Sequence, residues 1–355
     1  YIYIYMSTKL NKFGYGIGTE LNCCIKKTIN TKFYAYDHTK NEWIKNTKFS
    51  SSDNKNFTIA TWNIWGSEHF TRMSMIKKRI KYIIKTLIDE DIDIVCMQEV
   101  SKYVIDKLCA NKTIRQKYCM SSIKQPWKSI KVDVHGSEYE DVEPNCWSFI
   151  LSKYPVNKSS HIVLSSEMID FSCIVATIQN MTIVNLHLQS GGMGSGMDAK
   201  LAQKYHKCRI DQMKHIKKYI AENYDKNNVI YLGDFNFDLN ENKLFPESAI
   251  IQKGLKDAWE LNNKDIGTTE NTYENTMRYN IKQVHKNYRY DGMLYKSGLY
   301  RPTSSKIFAN KKIFEISPNK FKKNTSKEAI ILNKNKYVDW FLSDHFGVIT
   351  HFIVQ

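Results

Sequence analysis

Eight polar residues stand where apolar runs of this chain end, and their types define its chemistry: Asn63, Glu99, His187, Asp234, Asn236, Asp291, Asp344 and His345. Oxygen donors dominate, and no closely spaced set of cysteines and histidines accompanies them. Such a set suits a hard divalent cation, Mg²⁺ first and Mn²⁺ second, better than zinc. A cation of that kind polarises a phosphoryl oxygen and steadies a leaving oxygen. An aspartate beside it orients and deprotonates a water, and a histidine stabilises the charge that builds on phosphorus. Phosphodiester hydrolysis needs those parts together. Taken singly they have plainer readings: a histidine usually satisfies a neighbour, Asp291 can pair with Arg289, and Gly233-Asp234-Phe235-Asn236 is also an ordinary turn after a strand.

The elements must bring these residues to one place. A strand, Phe57 to Trp62, delivers Asn63. Ile76, Ile80, Ile83, Ile84, Leu87 and Ile88 then recur at helical spacing within Met73 to Asp89, giving one apolar face. The strand Ile92 to Met97 ends at Gln98-Glu99. A strand, helix and strand imply a right-handed parallel crossover, so Asn63 and Glu99 leave the sheet at the same edge. A helix near Tyr103 to Cys109 follows, and Cys146 to Leu151, Phe171 to Gln179 and Asn180 to Leu188 are further strands, the last carrying His187. Gln189 to Gly196 contains Gly191, Gly192, Gly194 and Gly196 but no nucleotide-loop lysine, so flexibility explains it better than phosphate binding. A long helix, Asp198 to Asn223, feeds the buried strand Val229 to Leu232 that ends at Gly233-Asp234. Tyr288 to Tyr295 is a strand containing Asp291, residues 301 to 336 form an irregular surface excursion, and a final strand to Val354 follows Asp344-His345. Strands outnumber helices, which favours a mixed-sheet sandwich with covering helices.

With 355 residues and 42% hydrophobic content the chain can bury a large core. Its net charge of +16 would attract a polyanion. The lysine excess over arginine is equally what an AT-rich genome produces without selection for binding. Eight scattered cysteines imply reduced thiols and an intracellular protein, and a monomer is the expected state. Neither a secretory leader nor a run approaching ~20 apolar residues is visible. Residues 1 to 56 form an extension with a small hairpin, Lys32 to Tyr36 with Glu42 to Lys45, and a linker; the domain proper is 57 to 355.

Thr61-Trp62-Asn63, Gln98-Glu99, His187-Leu188, Gly233-Asp234-Phe235-Asn236, Arg289-Tyr290-Asp291 and Ser343-Asp344-His345, in that order, resemble the endonuclease/exonuclease/phosphatase superfamily over Phe57 to Gln355. The resemblance implies a four-layer α/β sandwich, with two mixed β-sheets face to face and helices outside. It implies that Glu99 is the main Mg²⁺ ligand, with Asn63 and Asp344 beside it. Asp234 would activate the water, Asn236 orient it, His345 contact the phosphoryl oxygens while held by Asp291, and His187 stabilise the transition state. Arg289 and Arg209 would bind substrate. Within the superfamily Gln98-Glu99-Val100, Arg209-Ile210-Asp211-Gln212 and Asp257-Ala258-Trp259-Glu260 are similar to the tyrosyl-DNA phosphodiesterases, which release a tyrosine from a 5′ DNA phosphate. Three positions depart from that pattern: Trp65 and Gln189 replace acidic residues, and Asp238 replaces a DNA-contacting arginine. Asn63-Ile64-Trp65-Gly66 is more like neutral sphingomyelinases. The expected activity is therefore a Mg²⁺-dependent phosphodiesterase acting on nucleic acid, DNA before RNA, with a phospholipid phosphodiesterase or a non-catalytic nucleic-acid binder as alternatives.

Overall fold

The computed structural model describes residues 25–45, 56–66, 74–121, 123, 130–133, 139–142, 146–164, 171–192, 197–240, 242–275, 277, 285–316 and 338–355. In chain order the strands begin with β1 (Ile25–Asn30), β2 (Phe33–Asp37), β3 (Glu42–Lys45) and β4 (Asn56–Asn63), and helix α1 (Ile76–Asp89) leads to β5 (Ile94–Val100). Helices α2 (Lys102–Ala110) and α3 (Lys112–Lys117) precede β6 (Cys119–Ser121), a ribbon of β7 (Ile130–Asp133) and β8 (Tyr139–Val142), and β9 (Trp147–Ser152). An antiparallel run follows, β10 (Val156–Leu164), β11 (Ser172–Ile178) and β12 (Met181–His187), then helix α4 (Ala199–Asn223), β13 (Val229–Asp234) and helix α5 (Glu247–Gln252). The chain continues through β14 (Lys256–Asp257), β15 (Glu270–Asn271), β16 (Asn287–Tyr288) and β17 (Asp291–Lys296). It closes with β18 (Tyr300–Phe308), β19 (Lys312–Ile316), β20 (Val338–Phe341) and β21 (Gly347–Val354).

Two large mixed sheets result. One has seven strands in the order β1-β10-β11-β12-β13-β17-β14, the other eight in the order β18-β21-β4-β5-β9-β6-β2-β3. Each contains a parallel pair at its centre, β12 with β13 and β4 with β5. Between the sheets lie Phe57, Ile59 and Ile94 from one and Ile174, Ile183, Ile230 and Leu232 from the other. Helix α1 turns Ile76, Ile80, Ile83, Ile84 and Leu87 onto the outer face of the eight-stranded sheet, where they meet Ala60, Trp62, Val95 and Met97. Met213, Ile216 and Ile220 of α4 cover the seven-stranded sheet against Val184, Leu186 and Tyr231. The four layers are therefore helix, sheet, sheet, helix, each apolar face removed from water at about 25 cal/mol per Å².

Several local readings hold with adjusted ends. Asp198 caps α4 by accepting from Leu201 N at 3.0 Å. The β2–β3 hairpin forms, and it does not stand apart: β2 pairs with β6 and β1 with β10, so both sheets gain an edge from residues 25–45. Others change. The irregular excursion expected at 301–336 begins instead as β18, paired with β21 from Tyr300–Val354 to Phe308–Gly347. Its polar string is an edge strand with one face in water, and residues 317–337 lie outside the described ones. The strand expected from Tyr288 to Tyr295 breaks at Arg289-Tyr290, its first part pairing with β15 and its second with β13. Gly194 and Gly196 of the glycine loop, and Met73, lie outside the described residues. The expectation of reduced thiols is corrected at Cys208, on the buried face of α4, which is disulfide-bonded, while Cys96, Cys109, Cys119, Cys146 and Cys173 are free. Among the described residues no helix is long and apolar enough to cross a membrane.

Candidate active site

In the seven-stranded sheet the register alone aligns three candidate residues. His187 ends β12 opposite Asp234 at the end of β13, and Asp234 stands opposite Asp291 at the start of β17. Gly233 makes this possible: at φ 146° its position has no room for a side chain, since a Cβ would lie 1.9 Å from Leu186 O. Beyond the strand Asp234 Oδ1 accepts from Asn236 N at 2.9 Å, a tight turn that puts Asn236 at φ 56°. Asn236 Nδ2 donates to Leu188 O at 2.9 Å, fixing the amide beside the end of β12. Thr269 Oγ1 accepts from both Tyr290 N and Asp291 N at 3.0 Å and anchors the start of β17.

The eight-stranded sheet contributes the other half. Asn63 pairs with Gln98 at the ends of β4 and β5. The register of β5 against β9 then slips between Met97 and Val100, and Glu99 takes φ 55°, a bulge that re-aims its half-buried carboxylate. Gly66 N donates to Glu99 O at 2.8 Å, and a Cβ on Gly66 would meet that same oxygen at 2.5 Å, so only glycine lets the loop pass. Ser343 Oγ donates to Asn63 O at 2.7 Å and to Asp344 Oδ1 at 3.2 Å, which brings the segment before β21 alongside.

The halves meet at Asp234 Oδ2. Asn63 Nδ2 donates to it at 3.0 Å and to Glu99 Oε1 at 3.1 Å, while His187 Nε2 lies 3.6 Å and His345 Nε2 4.0 Å away. His345 Nδ1 is 2.7 Å from Asp291 Oδ2. Burial opposes a charge on His345, but Asp291 and Asp234 outweigh it and hold the imidazole protonated well above its ordinary range. Burial, with repulsion from Asp234, pushes the Asp291 carboxyl up to about 6 although His345 pulls the other way. We therefore take the dyad as imidazolium and carboxylate at neutral pH.

Asp234, Asp291 and His345 present ligand atoms all within 4.8 Å of one another, a buried group that could hold a metal ion. His345 Nδ1 is engaged by Asp291 Oδ2, whereas Asp291 Oδ1 is buried without a hydrogen-bond partner among the described residues, and Glu99 adds a further carboxylate on the other side of Asp234. Four carboxylates, Glu99, Asp234, Asp291 and Asp344, here outnumber the cations His345 and Arg79, and that anionic excess fits a hard divalent cation. Asn63 Oδ1 accepts from Trp65 N at 3.0 Å and its Nδ2 serves two carboxylates, so the amide bridges Glu99 and Asp234.

Two expected substrate contacts are structural. Arg209 is 0% exposed, donates through Nε to Glu247 Oε1 at 2.8 Å and through Nη1 to Gln189 O at 2.7 Å, and so pins the loop after His187. Arg289, also 0% exposed, pairs with Asp257 at 2.8 Å. Neither guanidinium can reach a substrate. Asp238 turns inward too, accepting from Asn240 N, Asn242 Nδ2 and Arg289 N at 3.0–3.2 Å. Trp65, 7% exposed, packs with Met277, Trp340, Phe341 and Phe346. The residue that the sequence reading missed is Arg79, buried behind Glu99 and Asp344 on a face otherwise read as lysines and isoleucines.

No family model matches the chain, and no curated protein matches it. Solved structures do. TDP2 from D. rerio complexed with single strand DNA product is 15% identical with a TM-score of 0.56, covering 84% of this chain and 99% of that one. SmcL is 17% identical with a TM-score of 0.57 over 84% and 99%. An endonuclease/exonuclease/phosphatase from Bacteroides vulgatus is 14% identical with a TM-score of 0.53 over 85% and 100%. The fold expected from the six motifs is thus the fold observed.

Proposed function

We propose, from the endonuclease/exonuclease/phosphatase fold that this chain shares with those structures, that it is a divalent-metal-dependent phosphodiesterase acting on nucleic acid. The observation that carries the proposal is the convergence on Asp234 Oδ2 of an amide, two imidazoles and, through Asn63, the Glu99 carboxylate.

Glu99 and Asp344 would hold the cation, Mg²⁺ before Mn²⁺, which when bound polarises a phosphoryl oxygen and steadies the leaving oxygen. Asp234 accepts the proton of the attacking water through Oδ2, the atom that Asn63 keeps aimed. Asn236, locked to Leu188 O, orients that water. The His345 imidazolium presents Nε2 to the phosphoryl oxygens while Asp291 fixes Nδ1, and His187 Nε2 completes the positive wall. A charge of +16 attracts a polyanionic substrate from solution. Nucleic acid is favoured over lipid because Trp65 is packed inside the protein and because the charge of +16 suits a polyanion, while both a TDP2 with a single strand DNA product and SmcL share the fold. DNA ends, including a 5′ tyrosyl adduct, are the substrates we assign.

The test incubates the protein with a 5′-tyrosyl oligonucleotide, an abasic duplex and sphingomyelin, each with Mg²⁺ or with EDTA. Turnover of an oligonucleotide that EDTA abolishes is expected. Turnover of the lipid alone would replace nucleic acid with phospholipid as the substrate, and no turnover by folded protein would leave a binder on the same fold.

A further inference from the structure

The ladder between β4 and β21 ends at Thr61–Val348 on this side, yet the groups that matter lie beyond it, on Asn63 to Gly66 and on Leu342 to His345. Past the ladder these two segments are tied by Trp62 Nε1 donating to His345 O at 3.2 Å, by Ser343 Oγ donating to Asn63 O at 2.7 Å, and by Arg79. The Arg79 guanidinium is 0% exposed and donates to four carbonyls: Ile64 O at 2.9 Å, Trp65 O at 2.6 Å, Ser74 O and Leu342 O. A planar fork with five N–H groups suits that task, and a lysine ammonium, with three donors around one point, does not. Among the described residues no carboxylate lies within ion-pair distance of it; Asp344 and Glu99 act on it from further away. A buried charge without an adjacent counter-charge is costly, and here the cost accompanies a tie between the segment next to Glu99 and the segment that carries Asp344.

We propose that Arg79 is a positioning residue, with Ser343 as its second tie: it holds the segment covering Glu99 against the segment carrying Asp344 at the separation a divalent cation needs. The inference rests on the metal-dependent reading above and names the part of the chain that prepares the site for the ion. Positioning and charge make opposite predictions. Removing a buried positive charge beside two carboxylates should, by electrostatics alone, tighten cation binding. Losing the tie should weaken it, as loss of groups that orient ligands does by about 10- to 100-fold.

The experiment is direct titration with Mn²⁺ of the wild type, Arg79→Met, Arg79→Lys, Ser343→Ala and, as a stability control on helix α4 against the other sheet, Ile220→Ala. We expect Mn²⁺ binding weakened by about 10-fold or more in both Arg79 variants. A smaller weakening is expected in Ser343→Ala, and none in Ile220→Ala. Equal or tighter binding by Arg79→Met, or equal weakening by Ile220→Ala, would overturn the positioning role. Should the Arg79 variants not fold, Ser343→Ala decides: unchanged affinity there overturns the tie. A wild type that binds no Mn²⁺ would instead remove the metal-dependent reading itself, and this inference with it.

Discussion

Buried charge is arranged in two ways in this molecule. Behind the strand ends it is matched: Arg209 meets Glu247, and Arg289 meets Asp257, each pair nearly free of solvent. At the strand ends it is not: Glu99, Asp234, Asp291 and Asp344 crowd together with fewer cations among them. Matched pairs hold loops in place and gain nothing from a ligand. On the proposed function a cation and a phosphate would complete the unmatched cluster, and Asp291 shows the strain of that place, its carboxyl raised first by burial and then by repulsion from Asp234. The difference separates residues whose loss unfolds the protein from residues whose loss silences it.

The largest effect should come from the unmatched cluster. Asp234→Asn keeps the shape of the hub but removes its proton acceptor, so kcat/KM should fall by about 10³- to 10⁴-fold, roughly 4–5 kcal/mol of barrier. Thermal unfolding should be unchanged or slightly later, because one of four crowded carboxylates is gone. Steady-state kinetics and a melting curve on one preparation check both halves, and an active variant would remove Asp234 as the base. Breaking a matched pair should do the reverse. Glu247→Gln leaves the Arg209 guanidinium buried without its counter-charge and should cost about 3–5 kcal/mol in urea unfolding. The folded fraction should keep nearly its full kcat.

Smaller in rate but more telling is the dyad. Below about pH 6 Asp291 takes up a proton, the His345 imidazolium loses its partner, and activity should fall along an acid limb near that pH. In stability both raised pKa values act in the same direction, lowering it as pH rises. The raised His345 pKa contributes stability at acid and neutral pH that is lost as pH rises through its folded value. The raised Asp291 pKa costs stability as pH rises from the ordinary carboxylate range, and that cost is complete above about 6. Asp291→Asn should abolish the limb and lower kcat by about 10²-fold, read from a pH–rate profile.

Much of the cluster was legible because strand ends are legible. His187, Asp234 and Asn63 each close an apolar run, and parallel crossovers place such ends at one edge. The matched arginines were misread because a guanidinium seen alone looks like a phosphate contact, and its neutralising carboxylate lies dozens of residues away: Arg209 and Glu247 are 38 apart. Arg79 was invisible for a related reason. Its carbonyl partners Ile64, Trp65, Ser74 and Leu342 come from three stretches of chain that only the tertiary fold assembles, and a carbonyl has no signature in sequence. Strand β18 escaped because Ser304 to Lys306 are polar and their partners on β21, His351 to Ile349, are distant in sequence.

Asp238 gives the mildest prediction and the sharpest use of the contrast. It occupies the place where the tyrosyl-DNA phosphodiesterase pattern has an arginine for DNA, which on sequence alone argues for another substrate. In the structure its carboxylate is 5% exposed, and both oxygens are committed to the loop, Oδ1 to Asn240 and Arg289 N, Oδ2 to Asn242. It therefore belongs with the charges that the fold itself satisfies, here by hydrogen bonds and not by a cation. Asp238→Asn keeps most of those acceptor contacts and should cost about 1–2 kcal/mol of stability, the worth of one or two weakened charge-assisted hydrogen bonds. The ratio of kcat/KM for a 5′-tyrosyl oligonucleotide to that for an abasic duplex should not move. If it does move while the unfolding midpoint stays put, Asp238 reads substrate, and the boundary between the two kinds of buried charge must be redrawn to include it.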